Sequence, residues 1–174
     1  MLKKIVIVVV VVVAAVLAFA ATRPDNFRVQ RSVSIKAPPE AVYALVSDMT
    51  RYGEWSTQNV GGEWLDGGSG KVGDWFEGRN KAGKMEWTAK AEVTEATPGR
   101  EFGFWTLGRA ANIVHWRYSM EPTAAGTRLG EHYRLHTVPD GIAKGGEAAV
   151  NGWCEGVKVS VAAMLANIKA AAEG

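Results

Sequence analysis

Apolar and polar positions alternate along this chain in three rhythms, and each rhythm marks a different kind of element. From about Glu147 to Ala172, Val150, Cys154, Val157, Val161, Met164, Leu165 and Ile168 recur at spacings of three and four. At 3.6 residues per turn they form one stripe, which predicts a single amphipathic helix. Trp153 sits beside that stripe, while Lys158, Asn167 and Lys169 fall mostly on the other side.

Between residues 27 and 137 the rhythm is two. Phe27, Val29, Val33 and Ile35 share one side of a strand and Arg28, Gln30, Ser32 and Ser34 the other. Ala37-Pro38-Pro39-Glu40 then ends the strand and opens a short helix carrying Val42, Leu45 and Val46 inward, since proline is accepted in a first helical turn. Ser47-Asp48 caps a second small helical piece through Met49, Tyr52 and Trp55. Long alternating runs follow: Met85 to Thr97, with Met85, Trp87, Ala89, Ala91 and Val93 on one face, Arg100 to Leu107, Ile113 to Pro122, and Thr127 to Thr137. The turns between them, at Asn80-Lys81-Ala82-Gly83, Pro98-Gly99 and Ala124-Ala125-Gly126, are short, so consecutive strands pair antiparallel. The predicted class is α+β: one curved antiparallel sheet of about seven strands, two short helices, and one long C-terminal helix across the sheet.

The third rhythm is none at all. Ile5 to Ala21 is an unbroken apolar run behind Lys3 and Lys4. As a helix its 17 residues span about 25 Å, near the lower limit for a hydrocarbon core. Two readings stand: an uncleaved single-pass anchor, or a signal peptide cut after Ala18-Phe19-Ala20. The anchor is favoured because the run exceeds a usual signal core. Lys3 and Lys4 argue for an exported domain, against Arg23, Arg28, Arg31 and Lys36 on the other flank. The expected location is therefore the cell membrane with an extracytoplasmic domain, or secretion if the segment is cleaved. The expected division is residues 1–21 membrane segment, 22–26 linker and 27–174 domain. Ala21 to Asn26 reach only about 20 Å when fully extended, so an anchor holds the domain against the bilayer.

Composition narrows the chemistry. Lys3 and Lys4 account for the whole formal charge of +2, so the domain is balanced and offers no basic face for nucleic acid. Cys154 is the one cysteine, so there is no intrachain disulfide or cysteine cluster, and its place on the helix stripe reads as a buried thiol. Gly68, Gly70 and Gly73 match a dinucleotide fingerprint, but the following Asp74-Trp75-Phe76-Glu77-Gly78 reads as extended where the motif needs a helix. The glycine-rich reach from Gly61 to Gly73 is instead expected to form hairpin turns between short strands. No metal site or cofactor is expected: His132 and His136 share a strand face but stand about 13 Å apart, and their parity turns them toward solvent.

Glu131 shares parity with Leu129, Tyr133 and Leu135, which points a carboxyl toward the helix side, where desolvation would suit it to acid/base work. A bulge or an arginine partner at the rim is the plainer alternative. The tryptophans Trp64, Trp75, Trp87, Trp105, Trp116 and Trp153, with Phe76, Phe102 and Phe104, either line a pocket for a flat or lipidic molecule or fill the core. Gly152 and Gly156 weaken the long helix by about 1 kcal/mol each, so they call for a ligand or a strand lying close to the backbone.

The run Phe27-Arg28-Val29-Gln30-Arg31-Ser32-Val33-Ser34-Ile35-Lys36-Ala37-Pro38-Pro39-Glu40-Ala41-Val42-Tyr43, then Trp55-Ser56, resembles the opening of START-related (SRPBCC), polyketide cyclase/dehydrase-like proteins of the Bet v 1 superfamily. Arg117-Tyr118-Ser119-Met120-Glu121-Pro122 with Gly126-Thr127-Arg128-Leu129, and Leu165-Ala166-Asn167-Ile168-Lys169, are similar as well. The resemblance spans about residues 27 to 172. It implies a helix-grip fold with a pocket for an apolar ligand, and no transferable catalytic residue. The expected function is membrane-tethered binding or transport of a lipid, quinone or polyketide-like molecule between sheet and helix. Candidate ligand contacts are Trp87, Phe102, Phe104, Trp116, Tyr118, Glu131, Tyr133, Gly152, Trp153 and Gly156. The alternatives are a cyclase or dehydratase using Glu131 and a tyrosine as acid/base, and an interaction module whose cavity is filled.

Overall fold

The computed structural model describes residues 27–174. The apolar segment Ile5–Ala21 and its linker, with both readings of them, lie outside the described residues. No helix among the described residues is long and apolar enough to cross a membrane.

In chain order the elements are β1 (Arg28–Ile35), α1 (Pro39–Ser47), a 3-10 turn (Met49–Glu54), β2 (Asn59–Trp64), β3 (Trp75–Ala82), β4 (Met85–Thr97), β5 (Glu101–Thr106), a second 3-10 turn (Arg109–Ala111), β6 (Val114–Thr123), β7 (Gly126–Leu135), α2 (Asp140–Ala143) and α3 (Gly146–Glu173). The strands form one antiparallel sheet in the order β1-β7-β6-β5-β4-β3-β2. This is the helix-grip architecture. Pro39 opens α1, where its missing N–H is not needed, and the Asp48 carboxylate accepts from the Thr50 backbone N–H at 3.2 Å to start the 3-10 turn.

The glycine-rich reach divides into a short strand and the turn that follows it. Gly61 and Gly62 lie inside β2, paired with Arg79 and Gly78, and only the residues after Trp64 turn the chain. A Cβ on Gly62 would stand 2.2 Å from the Phe76 ring and 2.4 Å from the Glu77 carbonyl, so the ring's seat requires glycine within the strand.

The two ends of the sheet differ. At one end β1 begins opposite the end of β7, with Arg28 beside Arg134, and β6 begins and β5 ends in the same row through His115 and Trp105. Beyond that row β4 continues: Ala91 is opposite Thr106, the last residue of β5, and the Lys90 carbonyl accepts from the Leu107 N–H at 2.7 Å, so Met85 to Ala89 pair with β3 alone. This overhang of five residues is about 17 Å long. At the other end the C-terminal half of α3 is tied to β1. Lys169 Nζ donates to the Ser34 carbonyl at 2.7 Å and the Lys36 N–H donates to Glu173 at 2.8 Å. Asn167 Nδ2 donates to the Trp55 carbonyl at 3.1 Å. Between these ties, Val161, Leu165 and Ile168 pack with Leu129, Val42, Val46 and Trp55 in a core closed to solvent. Burying each such side chain contributes about 1.5–3 kcal/mol.

Candidate ligand cavity

Under the N-terminal half of α3 the same space is open. A cavity of about 860 Å³ lies between the overhanging β3–β4 hairpin, the ends of β5 and β6, α2, and α3 as far as Met164. Its size lies within the range of small-molecule pockets, and its wall is largely apolar. Trp87, Phe104, Trp116 and Trp153 supply the rings, joined by Phe76, Met85, Leu107 and Ile113. Trp116 meets Tyr133 edge-on at 4.7 Å, and Tyr133 meets Trp153 edge-on at 6.4 Å, so one wall is a continuous aromatic surface.

Gly152 and Gly156 border this space. A Cβ built on either meets no atom within 4 Å, so close packing against the sheet does not explain them. Both are solvent-exposed, so they stand at the rim of the cavity, where a side chain would narrow its opening. A filled cavity, the interaction-module expectation, does not match this geometry.

The remaining expected contacts divide. Trp87, Phe104, Trp116, Tyr133, Gly152, Trp153 and Gly156 line the cavity, whereas Phe102, Tyr118 and Glu131 do not. Phe102 is fully buried against Tyr43, ring to ring at 6.3 Å. Glu131 points inward as its parity requires, but sits in the core beyond the cavity wall with no exposed surface. The reason is depth: alternation fixes which face a residue occupies, not how far along the strand the open space extends. The Tyr118 hydroxyl donates to Glu131 Oε1 at 3.3 Å, and Oε2 has no partner. Burial raises this carboxyl to about 8, against the smaller opposing effect of the Tyr118 hydrogen bond, so Glu131 is largely protonated at neutral pH.

Tyr52, absent from the sequence candidates, connects this buried acid to the cavity. It lines the wall, and its hydroxyl interacts with that of Tyr118. Burial, with the nearby Glu131 carboxyl, raises the Tyr52 hydroxyl well above its ordinary value, and burial does the same for Tyr133. Both therefore stay protonated. The Tyr133 ring lines the wall, but its hydroxyl is buried behind it without a partner, a placement that costs free energy. Periodicity had no purchase on Tyr52, which sits in a six-residue 3-10 turn, although the cap signal at Asp48 located that turn.

His132 and His136 lie on the outer face of the sheet, as their parity requires, half-buried there beside His115. Trp105 is stacked on His115 at 4.8 Å and tilted against His136 at 4.7 Å, and His132 Nε2 lies 3.0 Å from Ser119 Oγ. His115 Nε2 bonds Glu95 at 3.0 Å. Burial alone would raise the Glu95 carboxyl, but the bonds from His115 and Thr94 outweigh it and hold it below its ordinary value. Cys154 is buried on the α3 stripe, and that burial pushes its thiol up, away from nucleophilic use.

Residues 26–173 match the family model described as polyketide cyclase/dehydrase and lipid transport, and the chain belongs to that family. Among solved structures it is similar to a polyketide-cyclase-like protein from Corynebacterium glutamicum at 32% identity, covering 84% of this chain and 91% of that one with a TM-score of 0.59. It shares its fold with the ZhuI aromatase/cyclase from a Streptomyces species, at 18% identity, 83% and 92% coverage and a TM-score of 0.65. The same holds for the di-domain aromatase/cyclase StfQ of the steffimycin pathway, at 12% identity, 87% and 52% coverage and a TM-score of 0.69. No curated protein sequence matches the chain.

Proposed function

As a member of the polyketide cyclase/dehydrase and lipid transport family, this protein, we propose, binds an apolar small molecule between its sheet and α3, with residues 5–21 holding it at a membrane and the domain on the extracytoplasmic side. The observation that carries the reading is the cavity of about 860 Å³ beneath two glycines with empty space where their side chains would be. The aromatic wall suits a lipid, a quinone or a polyketide-like ring system. Extraction of the purified protein with organic solvent, followed by mass spectrometry, should release a defined apolar compound from the native protein and far less from Gly156→Leu. An equally empty extract from both overturns the reading.

A second reading, a cyclase or dehydratase, draws support from the line Glu131–Tyr118–Tyr52, which connects a buried protonated acid to a hydroxyl on the cavity wall. In that case Tyr52 is the group that meets substrate, and Tyr118 and Glu131 position it. Glu131→Gln and Tyr52→Phe then abolish turnover while keeping the ligand, whereas a pure carrier retains its transfer rate in both.

A further inference from the structure

The chain enters the domain at the cavity's own end. Phe27 is the residue next to the linker, and its carbonyl accepts from the Leu135 N–H at the end of β7. Its ring packs edge-on against Tyr133, a cavity-wall residue, at 6.0 Å. In the same row β5 ends and β6 begins, and past it the β3–β4 hairpin overhangs the opening. Two of the exposed large apolar side chains stand on these overhanging elements: Met85, 62% exposed at the hairpin, and Leu107, 50% exposed after β5. Both also line the cavity. Leu107 is held at φ +62°, a left-handed conformation that a branched side chain rarely adopts, so its outward pose is maintained against local strain.

From this placement we infer that the cavity mouth faces the bilayer and that the β3–β4 hairpin tip and the loop at Leu107 enter its interface, so that ligand passes directly between membrane and cavity. The inference rests on the tether proposed above and not on the identity of the ligand. The tether reaches about 20 Å at most, and it joins the domain at the mouth end, so the opposite end cannot lie on the bilayer without carrying the whole sheet's length past the attachment point. Lys81 pairs with Glu86 at 2.8 Å, and Lys84, Arg109 and Lys144 are set against Asp140 and Glu147, while Arg28 beside Arg134 leaves this end with an excess of positive charge. On a neutral bilayer docking therefore rests on the apolar side chains and is insensitive to salt, and an anionic lipid fraction adds attraction.

The test uses the full chain in phosphatidylcholine vesicles carrying nitroxide-labelled lipids, with an environment-sensitive fluorophore on Met85→Cys, Leu107→Cys or Ala124→Cys. Cys154 is buried and stays unlabelled. Ala124 is exposed in the β6–β7 turn at the far end of the sheet, after Thr123, which pairs with Gly126. By strand rise that turn lies about 30 Å from the row where Val114 faces Leu135 and the chain enters. The expected result is loss of most emission at positions 85 and 107 with emission at 124 unchanged, the same at low and high salt. A chain that floats with the vesicles but shows equal quenching at all three positions, quenching at 124 alone, or none, overturns the orientation and leaves the tether intact. A chain that does not float with the vesicles overturns the tether and the orientation together.

Discussion

The two halves of α3 carry the same apolar stripe, yet they do different work. In the C-terminal half Val161, Leu165 and Ile168 fill the space to the sheet, and the helix is fastened to β1 and to Trp55 by three hydrogen bonds from or to its polar side chains. In the N-terminal half the helix presents Gly152 and Gly156 to open space, and aromatic rings from β4, β5, β6 and β7 stand across from them. One half spends its apolar surface on stability. The other leaves apolar surface uncovered, which is tolerable because the first half, with the long β6–β7 and β1–β7 pairings, holds the helix in place. A helix-grip cavity is thus a local omission of side-chain volume in an otherwise closed core, rather than a separate structure.

That division can be broken experimentally, and the largest effect is expected in the closed half. Ile168→Ala removes a fully buried side chain from a packed environment and should lower unfolding stability by about 2–5 kcal/mol in chemical denaturation, with ligand affinity unchanged in the fraction that remains folded. Next is Glu131. Its carboxyl is raised to about 8 in the folded protein from an ordinary 4.5, so the folded state binds the proton more tightly than the unfolded chain. Stability from this group is fully present below pH 4.5 and is lost as the pH rises to about 8. Glu131→Gln, which keeps an acceptor for Tyr118 without the ionisation, should flatten that decline and raise stability at pH 8 by about 2–4 kcal/mol. A melting curve that falls with pH identically in both proteins would count against a buried, protonated acid.

The open half predicts an inversion of sign between stability and function. Gly156→Ala should stabilise the domain by about 1 kcal/mol through helix propensity while weakening ligand binding, because its methyl narrows the cavity rim. If binding is untouched, the ligand does not lie under this turn. Smallest is Val159→Ala on the solvent face of the same helix, 71% exposed, where stability should stay within about 0.5 kcal/mol and binding should not change.

Much of this was legible in the residues. The strand limits at Met85–Thr97, the turn positions, the stripe from Val150 to Ile168 and the inward parity of Glu131 all follow from periods of 2 and 3.6. Other features were not. Gly61 and Gly62 have the composition of a turn and the pairing of a strand, because the seat of the Phe76 ring decides there. Among the aromatics, composition could not separate Trp116, on the cavity wall, from Trp55, sealed in the core, or from Trp105, sandwiched between histidines on the outer face.

What the sequence determined by itself was therefore the kind and order of elements and the face each side chain takes, since those depend on local geometry and on spacings of a few residues. Only the tertiary structure decided depth: that Glu131 lies beyond the cavity while Tyr133 lies on it, that Tyr52 reaches the wall from a turn, and that the chain enters beside the mouth. Depth is set by where one packed layer stops touching another. That boundary arises from the summed volumes of residues far apart in the chain, such as Gly156 on α3 and Trp87 on β4, and no local period encodes it.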